Sequence, residues 1–94
     1  MINVGGNKVY PLEVETLIRS VPGVADVRVY GEKSSIVGEL VKCDVVVEDG
    51  SDAQDVETTI RQKTLAELAN YQRPRFIQIV DEIPRTDAGK TKRQ

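Results

Sequence analysis

The stretch Val24–Tyr30 reads Val-Ala-Asp-Val-Arg-Val-Tyr, and from Ala25 onward every second residue is apolar. Successive side chains of a strand point to opposite faces, so this pattern predicts a half-buried β-strand with Ala25, Val27 and Val29 towards the core. The stretch Val41–Val47 repeats the alternation. We therefore expect an antiparallel pair of strands at the centre of the fold.

The chain before this pair predicts a hairpin and a helix. β-prone residues flank Gly5-Gly6-Asn7, which favours a tight turn because Gly and Asn accept positive φ angles. Pro11 suits the first position of a helix, and Pro22-Gly23 is expected to end it. The apolar stripe of this helix consists of Val14, Leu17, Ile18 and Val21.

The chain after the first strand of the pair predicts a loop, a second helix and a third strand of the sheet. The loop covers residues 31–38. Ser51 and Gln54 fit a capping box for a helix that runs to about Ala69. Its core side would carry Val56, Ile60, Leu65 and Leu68. With a strand at Phe76–Val80, the fold class is α+β: a small two-layer domain in which an N-terminal β-hairpin and a three-stranded sheet pack with two helices.

The composition excludes several kinds of site. His is absent and Cys43 is the only cysteine, so the chain contains neither a Ser-His or Cys-His nucleophile nor a zinc site of Cys and His ligands. The sequence contains no cluster of several carboxylates of the kind that holds Mg²⁺, so it predicts no metal site. Cys43 lies on an apolar strand face and is predicted to be a small core residue. A single free thiol without an apolar run of ~18 residues favours a cytoplasmic protein with no transmembrane segment.

Charge is distributed unevenly along the chain. Residues 1–70 contain seven basic and twelve acidic side chains, whereas residues 71–94 contain six basic and three acidic ones. A basic C-terminal part on an acidic body indicates a local anion site rather than a surface that coats nucleic acid. The alternative from charge alone is an ordinary solvated terminus.

Five motifs in a fixed order carry a resemblance to a known family. They are Gly5–Glu15, Pro22–Val27, Gly31 with Gly38-Glu39, Tyr71–Arg75 and Pro84–Lys90. Together they resemble the C-terminal domain of the adenylate-forming, AMP-binding enzyme superfamily, and most of all that of acyl-CoA synthetases. The resemblance covers residues 1–94 as a lid domain. It implies a hairpin motif at 1–10, an α+β core at 11–83 and a catalytic-lysine loop at 84–94.

The resemblance implies a role for each end of the domain. Lys90 corresponds to the family's adenylation lysine, which would bridge the acyl carboxylate and the α-phosphate of ATP. On its own, Lys90 reads as a solvated surface lysine. Gly5 and Gly6 correspond to the hairpin that lines the passage for the pantetheine arm of coenzyme A, and the alternative is that they only make a tight turn.

Tyr71, Arg73 and Arg75 place an aromatic ring beside two guanidinium groups. This arrangement suits the adenine ring and phosphates of coenzyme A. The alternative is a helix C-terminus whose carbonyls and dipole are satisfied by basic residues. The sequence leaves both interpretations open.

The implied substrates are a carboxylate, ATP and coenzyme A, with Mg²⁺ accompanying the ATP. A large N-terminal AMP-binding domain in cis would hold most of the ATP and the metal, so the isolated chain is expected to be inactive. One alternative is a peptide-synthetase-like adenylation domain that delivers to a carrier protein. Another is a stand-alone module for an anionic partner such as nucleic acid, but the few aromatic residues do not form a base-stacking platform.

Overall fold

The computed structural model of the chain describes residues 1–84. Within that range the chain forms two α-helices, one 3₁₀ turn and five strands in a single sheet. This confirms the predicted α+β class. In chain order the elements are β1 (Ile2–Val4), β2 (Asn7–Val9), α1 (Pro11–Arg19), β3 (Val24–Ser34), β4 (Gly38–Val47), α2 (Ala53–Glu67), the 3₁₀ turn (Asn70–Gln72) and β5 (Phe76–Ile79).

The strand β4 organises the sheet. One of its edges pairs antiparallel with β3 along the whole length, in a register that places Val27 opposite Val45. Its other edge receives two strands in succession. The hairpin strand β1 pairs antiparallel at Gly38, and β5 pairs in parallel from Lys42 onward. The predicted hairpin is therefore part of the main sheet rather than a separate unit.

The core lies between the two helices and one face of the sheet. Alternate residues of β3 and β4 point into it, as the sequence pattern predicts. The buried apolar residues are Ile2, Val9, Val14, Ile18, Val21, Val27, Val29, Val41, Cys43, Val45, Val56 and Ile60.

Two details of the strand prediction are wrong. Ala25 is exposed, because the β3–β4 register shifts between Val24 and Asp26 and leaves Ala25 without an opposite residue. The predicted loop at residues 31–38 is much shorter, since β3 continues to Ser34 and β4 begins at Gly38. The pairing of Ser34 with Gly38 extends the ladder to the turn itself.

Helix α2 also differs from its prediction. Its cap is Asp52 rather than Ser51, because the Asp52 carboxylate accepts the amide of Gln54 at 2.8 Å. Leu65 is 62% exposed and Thr64 is 3% exposed, since Thr64 lies two turns after Val56 on the buried face. The helix ends at Glu67, earlier than Ala69.

Helix α1 covers the outer edge of β3. The Glu15 carboxylate accepts a hydrogen bond from the amide of Val29 at 2.9 Å. The Arg19 guanidinium donates to the carbonyl oxygen of Val27 at 3.5 Å and pairs with Asp26 at 3.2 Å. These side chains occupy backbone groups that point away from β4.

Candidate functional site

The hairpin tip has the backbone conformation that its two glycines predict. The φ angles are +57° at Gly5 and +92° at Gly6, which are the values of a type I′ turn. A Cβ atom on either glycine would have no described atom within 4 Å. The positive φ angles, and not the space available within residues 1–84, are therefore what restrict the residues that this turn accepts.

The tip is fastened to the rest of the sheet by specific hydrogen bonds. The amide of Gly5 donates to the carbonyl oxygen of Val37 at 2.8 Å. The side-chain oxygen of Asn3 accepts the amide of Gly6 at 2.9 Å. Sequence reasoning missed both anchors. Asn3 is detectable in principle, because Asn side chains often accept nearby backbone amides in turns, whereas nothing local indicates Val37.

The sheet topology brings the hairpin next to the segment before β5. β1 pairs with β4 at Gly38, and β5 pairs with the same edge from Lys42 onward, so the segment that leads into β5 passes beside the hairpin. The amide of Arg75 donates to the carbonyl of Val41 at 2.7 Å and fixes this approach. Gly5, Tyr71, Arg73 and Arg75 consequently line one cavity of about 250 Å³.

Gly6 lines a different cavity from Gly5. The second cavity is an open groove of about 640 Å³ on the other side of the hairpin tip, and Lys33, Ser34 and Glu39 are among its lining residues. Val37 lines both cavities. The hairpin tip thus separates a groove next to the β3–β4 turn from the cavity that contains the aromatic and basic side chains.

Arg73 packs against the C-terminus of α2. Its guanidinium donates to the carbonyl oxygens of Leu65 at 3.1 Å and Leu68 at 3.2 Å, and to the side chain of Asn70 at 3.5 Å. These bonds confirm the helix-capping interpretation of this arginine. They also fix the 3₁₀ turn relative to α2, and with it the position of Tyr71.

Tyr71 and Arg75 are the accessible members of the basic segment. Tyr71 is 38% exposed. Arg75 is exposed, and its guanidinium makes no hydrogen bond or ion pair with any residue from 1 to 84. An aromatic face and an unengaged guanidinium beside one cavity suit a ligand with both a ring and an anionic group.

Lys90 and Cys43 are the two other residues that the sequence singles out. Lys90 lies outside the described residues, as does all of its motif after Pro84. Cys43 is buried. Its burial, with a smaller contribution from the negative charge of Asp44, raises the pKa of the thiol to about 12. This confirms Cys43 as a core residue. Among residues 1–84 no group of three or more Cys, Asp or Glu side chains is arranged to hold a metal ion.

The outer face of the sheet carries a polar cluster instead of a row of stacking aromatic rings. The Tyr30 hydroxyl donates to Asp44 at 3.0 Å, and the Arg28 guanidinium lies 5.0 Å from the Tyr30 ring centre. Lys42 pairs with Glu32 at 3.0 Å. Burial and the bond to Asp44 raise the pKa of Tyr30. These internal partners do not favour an aromatic platform for nucleic acid.

Comparison with known proteins identifies the family. Residues 13–90 match the family described as the AMP-binding enzyme C-terminal domain. The chain belongs to this family. Within residues 1–84 of this AMP-binding enzyme C-terminal domain, neither helix is long and apolar enough to cross a membrane.

Relatives of this AMP-binding enzyme C-terminal domain are much longer proteins. A 3-oxocholest-4-en-26-oate–CoA ligase of Rhodococcus rhodochrous is 42% identical over 91 residues, which are 95% of this chain and 16% of the relative. A 3,4-dihydroxybenzoate–[aryl-carrier protein] ligase of Bacillus anthracis is 37% identical over 94 residues, 100% of this chain and 21% of the relative. The chain thus spans a sixth to a fifth of these relatives.

A solved structure shares the fold. A fatty acyl CoA synthetase of Mycobacterium tuberculosis superposes with a TM-score of 0.81 and is 36% identical, over 96% of this chain and 17% of that one. The match of both sequence and fold does not favour a stand-alone interaction module.

Proposed function

We propose that the chain is the mobile C-terminal domain of an ATP-dependent acyl-CoA synthetase. The complete enzyme would convert a carboxylate and ATP to an acyl-adenylate and pyrophosphate. The thiol of coenzyme A would then attack the acyl carbon, releasing AMP and the acyl-CoA. The observation that carries the proposal is the shared cavity of Gly5, Tyr71, Arg73 and Arg75, which joins the two motifs implied to bind coenzyme A.

Lys90 would act in the first half-reaction. Its ammonium would hold the carboxylate and the α-phosphate together and offset charge that builds up in the transition state. A unit-charge contact at ~4 Å, with an effective dielectric constant of ~20, supplies about 4 kcal/mol of gross attraction. Loss of this contact is therefore expected to slow adenylation by about 10² to 10³.

The cavity of Gly5, Tyr71, Arg73 and Arg75 would act in the second half-reaction together with the hairpin tip beside it. The glycines of the tip expose backbone without side chains, which lets a narrow pantetheine arm pass close to Gly5 and Gly6. Tyr71 would stack on the adenine ring, and Arg75 would meet a phosphate of coenzyme A. Arg73 would contribute to the same site mainly by holding the Tyr71 segment against α2.

Coenzyme A is the acceptor that these residues favour. An aromatic ring beside a guanidinium that residues 1–84 leave unengaged matches a nucleotide, whereas a carrier-bound pantetheine arm has no adenine ring. Mg²⁺ would accompany the ATP and be held mainly by the N-terminal AMP-binding domain, since residues 1–84 provide no carboxylate cluster. The single buried thiol suits the reducing cytoplasm.

The test measures the two half-reactions separately in the complete polypeptide that carries this chain. Adenylation is followed by pyrophosphate release with a panel of carboxylates, and thioester formation by acyl-CoA production from supplied acyl-adenylate. Lys90→Ala is expected to slow adenylation at least 10²-fold and to leave thioester formation within a few-fold. Lys92→Ala is the matched control. Equal slowing of both steps would contradict the proposed role of Lys90, and transfer only to a carrier protein would contradict coenzyme A as acceptor.

A further inference from the structure

We propose that Glu39 is a positioning residue that sets the conformation of the hairpin tip through Asn3. The inference rests on the proposed function of the hairpin in thioester formation, and it adds a residue to which no role has been assigned. Glu39 does not contact the substrates in this proposal. It acts by holding β1, and through it the amide of Gly6.

Two hydrogen bonds meet at Asn3 and connect Glu39 to the tip. The backbone amide of Asn3 donates to the Glu39 carboxylate at 2.9 Å. The side-chain oxygen of Asn3 accepts the amide of Gly6, also at 2.9 Å. The register pairs β1 with β4 only at Val4 and Gly38. The Glu39 carboxylate therefore supplies the next attachment along β1, where a backbone ladder bond is missing.

The direction of the Glu39 side chain shows that this contact is specific. Lys33 lies directly opposite Glu39 in the β3–β4 register. Nevertheless, within residues 1–84 the two make no ion pair. The carboxylate accepts the Asn3 amide and is not paired with this opposite lysine. A solvated surface glutamate would have no reason to adopt this orientation in preference to the opposite lysine.

Gly31 provides the space for the carboxylate. A Cβ atom on Gly31 would lie 2.7 Å from one Glu39 carboxylate oxygen and 3.1 Å from a methyl group of Ile2. Gly31 is not one of the glycines with a positive φ angle, so its backbone conformation does not require glycine. The absence of a side chain at Gly31 leaves the Glu39 carboxylate room to reach Asn3.

The first measurement is amide hydrogen exchange in the 94-residue chain, resolved by NMR. Glu39→Ala is expected to speed exchange at Asn3 and Gly6 about tenfold or more. The Asn3 amide loses its acceptor, and the Asn3 side chain that accepts the Gly6 amide is no longer held in place. Glu39→Gln keeps an acceptor oxygen and is expected to restore protection. Glu32→Ala is the matched control, since Glu32 pairs with Lys42 on the other face of the sheet.

Gly31→Ala tests the same connection from β3, with Glu39, Asn3 and Gly6 themselves unsubstituted; the new methyl group would lie closer to the Glu39 carboxylate than to Ile2 of β1. The new methyl group is expected to push the flexible carboxylate away from Asn3 and to reproduce the exchange pattern of Glu39→Ala. The double variant is expected to show no further increase, because both changes remove one interaction. Additive increases, or unchanged exchange at Asn3 and Gly6 in Glu39→Ala, would overturn the proposed connection.

The second measurement separates positioning from general stability in the complete enzyme. Glu39→Ala is expected to slow thioester formation from supplied acyl-adenylate about tenfold and to leave adenylation within twofold, with rescue by Glu39→Gln. Equal slowing of both half-reactions would show that Glu39 has only a structural role. If the unsubstituted enzyme forms no CoA thioester at all, the proposed function fails, whereas the exchange experiment still decides whether Glu39 controls the tip.

Discussion

The amide nitrogen of Gly5 lies 2.8 Å from the carbonyl oxygen of Val37 and donates a hydrogen bond to it. This bond joins the hairpin tip to the turn between β3 and β4. Since Val37 also lines the cavities on both sides of the tip, the turn and the hairpin form one structural unit. Substitutions at the tip therefore need to be designed so that the turn itself survives.

Gly5→Asn distinguishes the role of Gly5 in the turn from its proposed role beside the pantetheine arm of coenzyme A. At a φ angle of +57° Asn is tolerated, and Asn-Gly is a favoured type I′ pair. The free energy of unfolding is therefore expected to change by less than about 0.5 kcal/mol. The added side chain is expected to slow thioester formation but not adenylation. Urea unfolding and the two half-reaction rates check this, and normal thioester formation at normal stability would mean that Gly5 serves only the turn.

Arg73→Ala and Arg75→Ala are expected to differ in their effect on stability. Arg73→Ala leaves two helix carbonyls without their donor and is expected to cost about 1–3 kcal/mol. Arg75→Ala is expected to change stability by less than about 0.5 kcal/mol. Both changes are expected to raise the KM for coenzyme A with little effect on the KM for ATP. Denaturant unfolding with steady-state kinetics checks the pair, and an unchanged KM for coenzyme A would remove that arginine from the site.

The Cys43 thiol is expected to be unreactive in the folded chain. Its pKa is raised to about 12 by burial, so almost no thiolate exists at pH 8. A disulfide reagent is expected to label Cys43 only at the rate at which the chain unfolds. Rapid labelling in native buffer, compared with Cys43→Ser as the blank, would contradict this burial.

The same pKa predicts how stability depends on pH. The folded state retains the Cys43 proton where the unfolded chain, with an ordinary thiol pKa of ~8.5, has already released it. This contribution to stability is fully present below pH ~8.5 and is lost as the pH rises towards about 12. Thermal unfolding from pH 7 to 10 checks the slope, and Cys43→Ala is expected to remove that part of it.

The isolated 94-residue chain is expected to unfold in one cooperative transition and to catalyse neither half-reaction. One core of this size is sufficient for a small domain, but the acyl and ATP pockets would lie in the N-terminal domain. Circular dichroism during heating and an assay for acyl-CoA check the two statements. Turnover by the purified chain would contradict the division of the active site between two domains.

Local rules predict the parts of the fold that depend on neighbouring residues. The turn at Gly5-Gly6 follows from two residues that accept positive φ angles. The β3–β4 pair follows from strict alternation, and Val27 and Val45 face each other in the core as a result. The single exposed exception, Ala25, lies at a register shift that alternation does not encode.

Other features depend on contacts between distant parts of the chain. The choice between Thr64 and Leu65 for the buried face of α2 is set by how the helix lies on the sheet, so the apolar residue is not the buried one. The approach of Gly5 to Tyr71 requires two strands to share one edge of β4. No local pattern contains that information, although Gly5 and Tyr71 are each predicted to bind coenzyme A, Gly5 from the family resemblance and Tyr71 from its ring beside two arginines.

The bonds from Glu15 and Arg19 to β3 hinder pairing of another molecule with this edge of the sheet. An exposed edge strand usually offers free amides and carbonyls to any extended chain nearby, which is a route to aggregation. Here the amide of Val29 and the carbonyl of Val27 are already occupied. A strand from another molecule would have to displace the side chains of Glu15 and Arg19 before it could pair here. A mobile domain, as proposed above, would therefore keep these two backbone groups occupied in every orientation that it adopts.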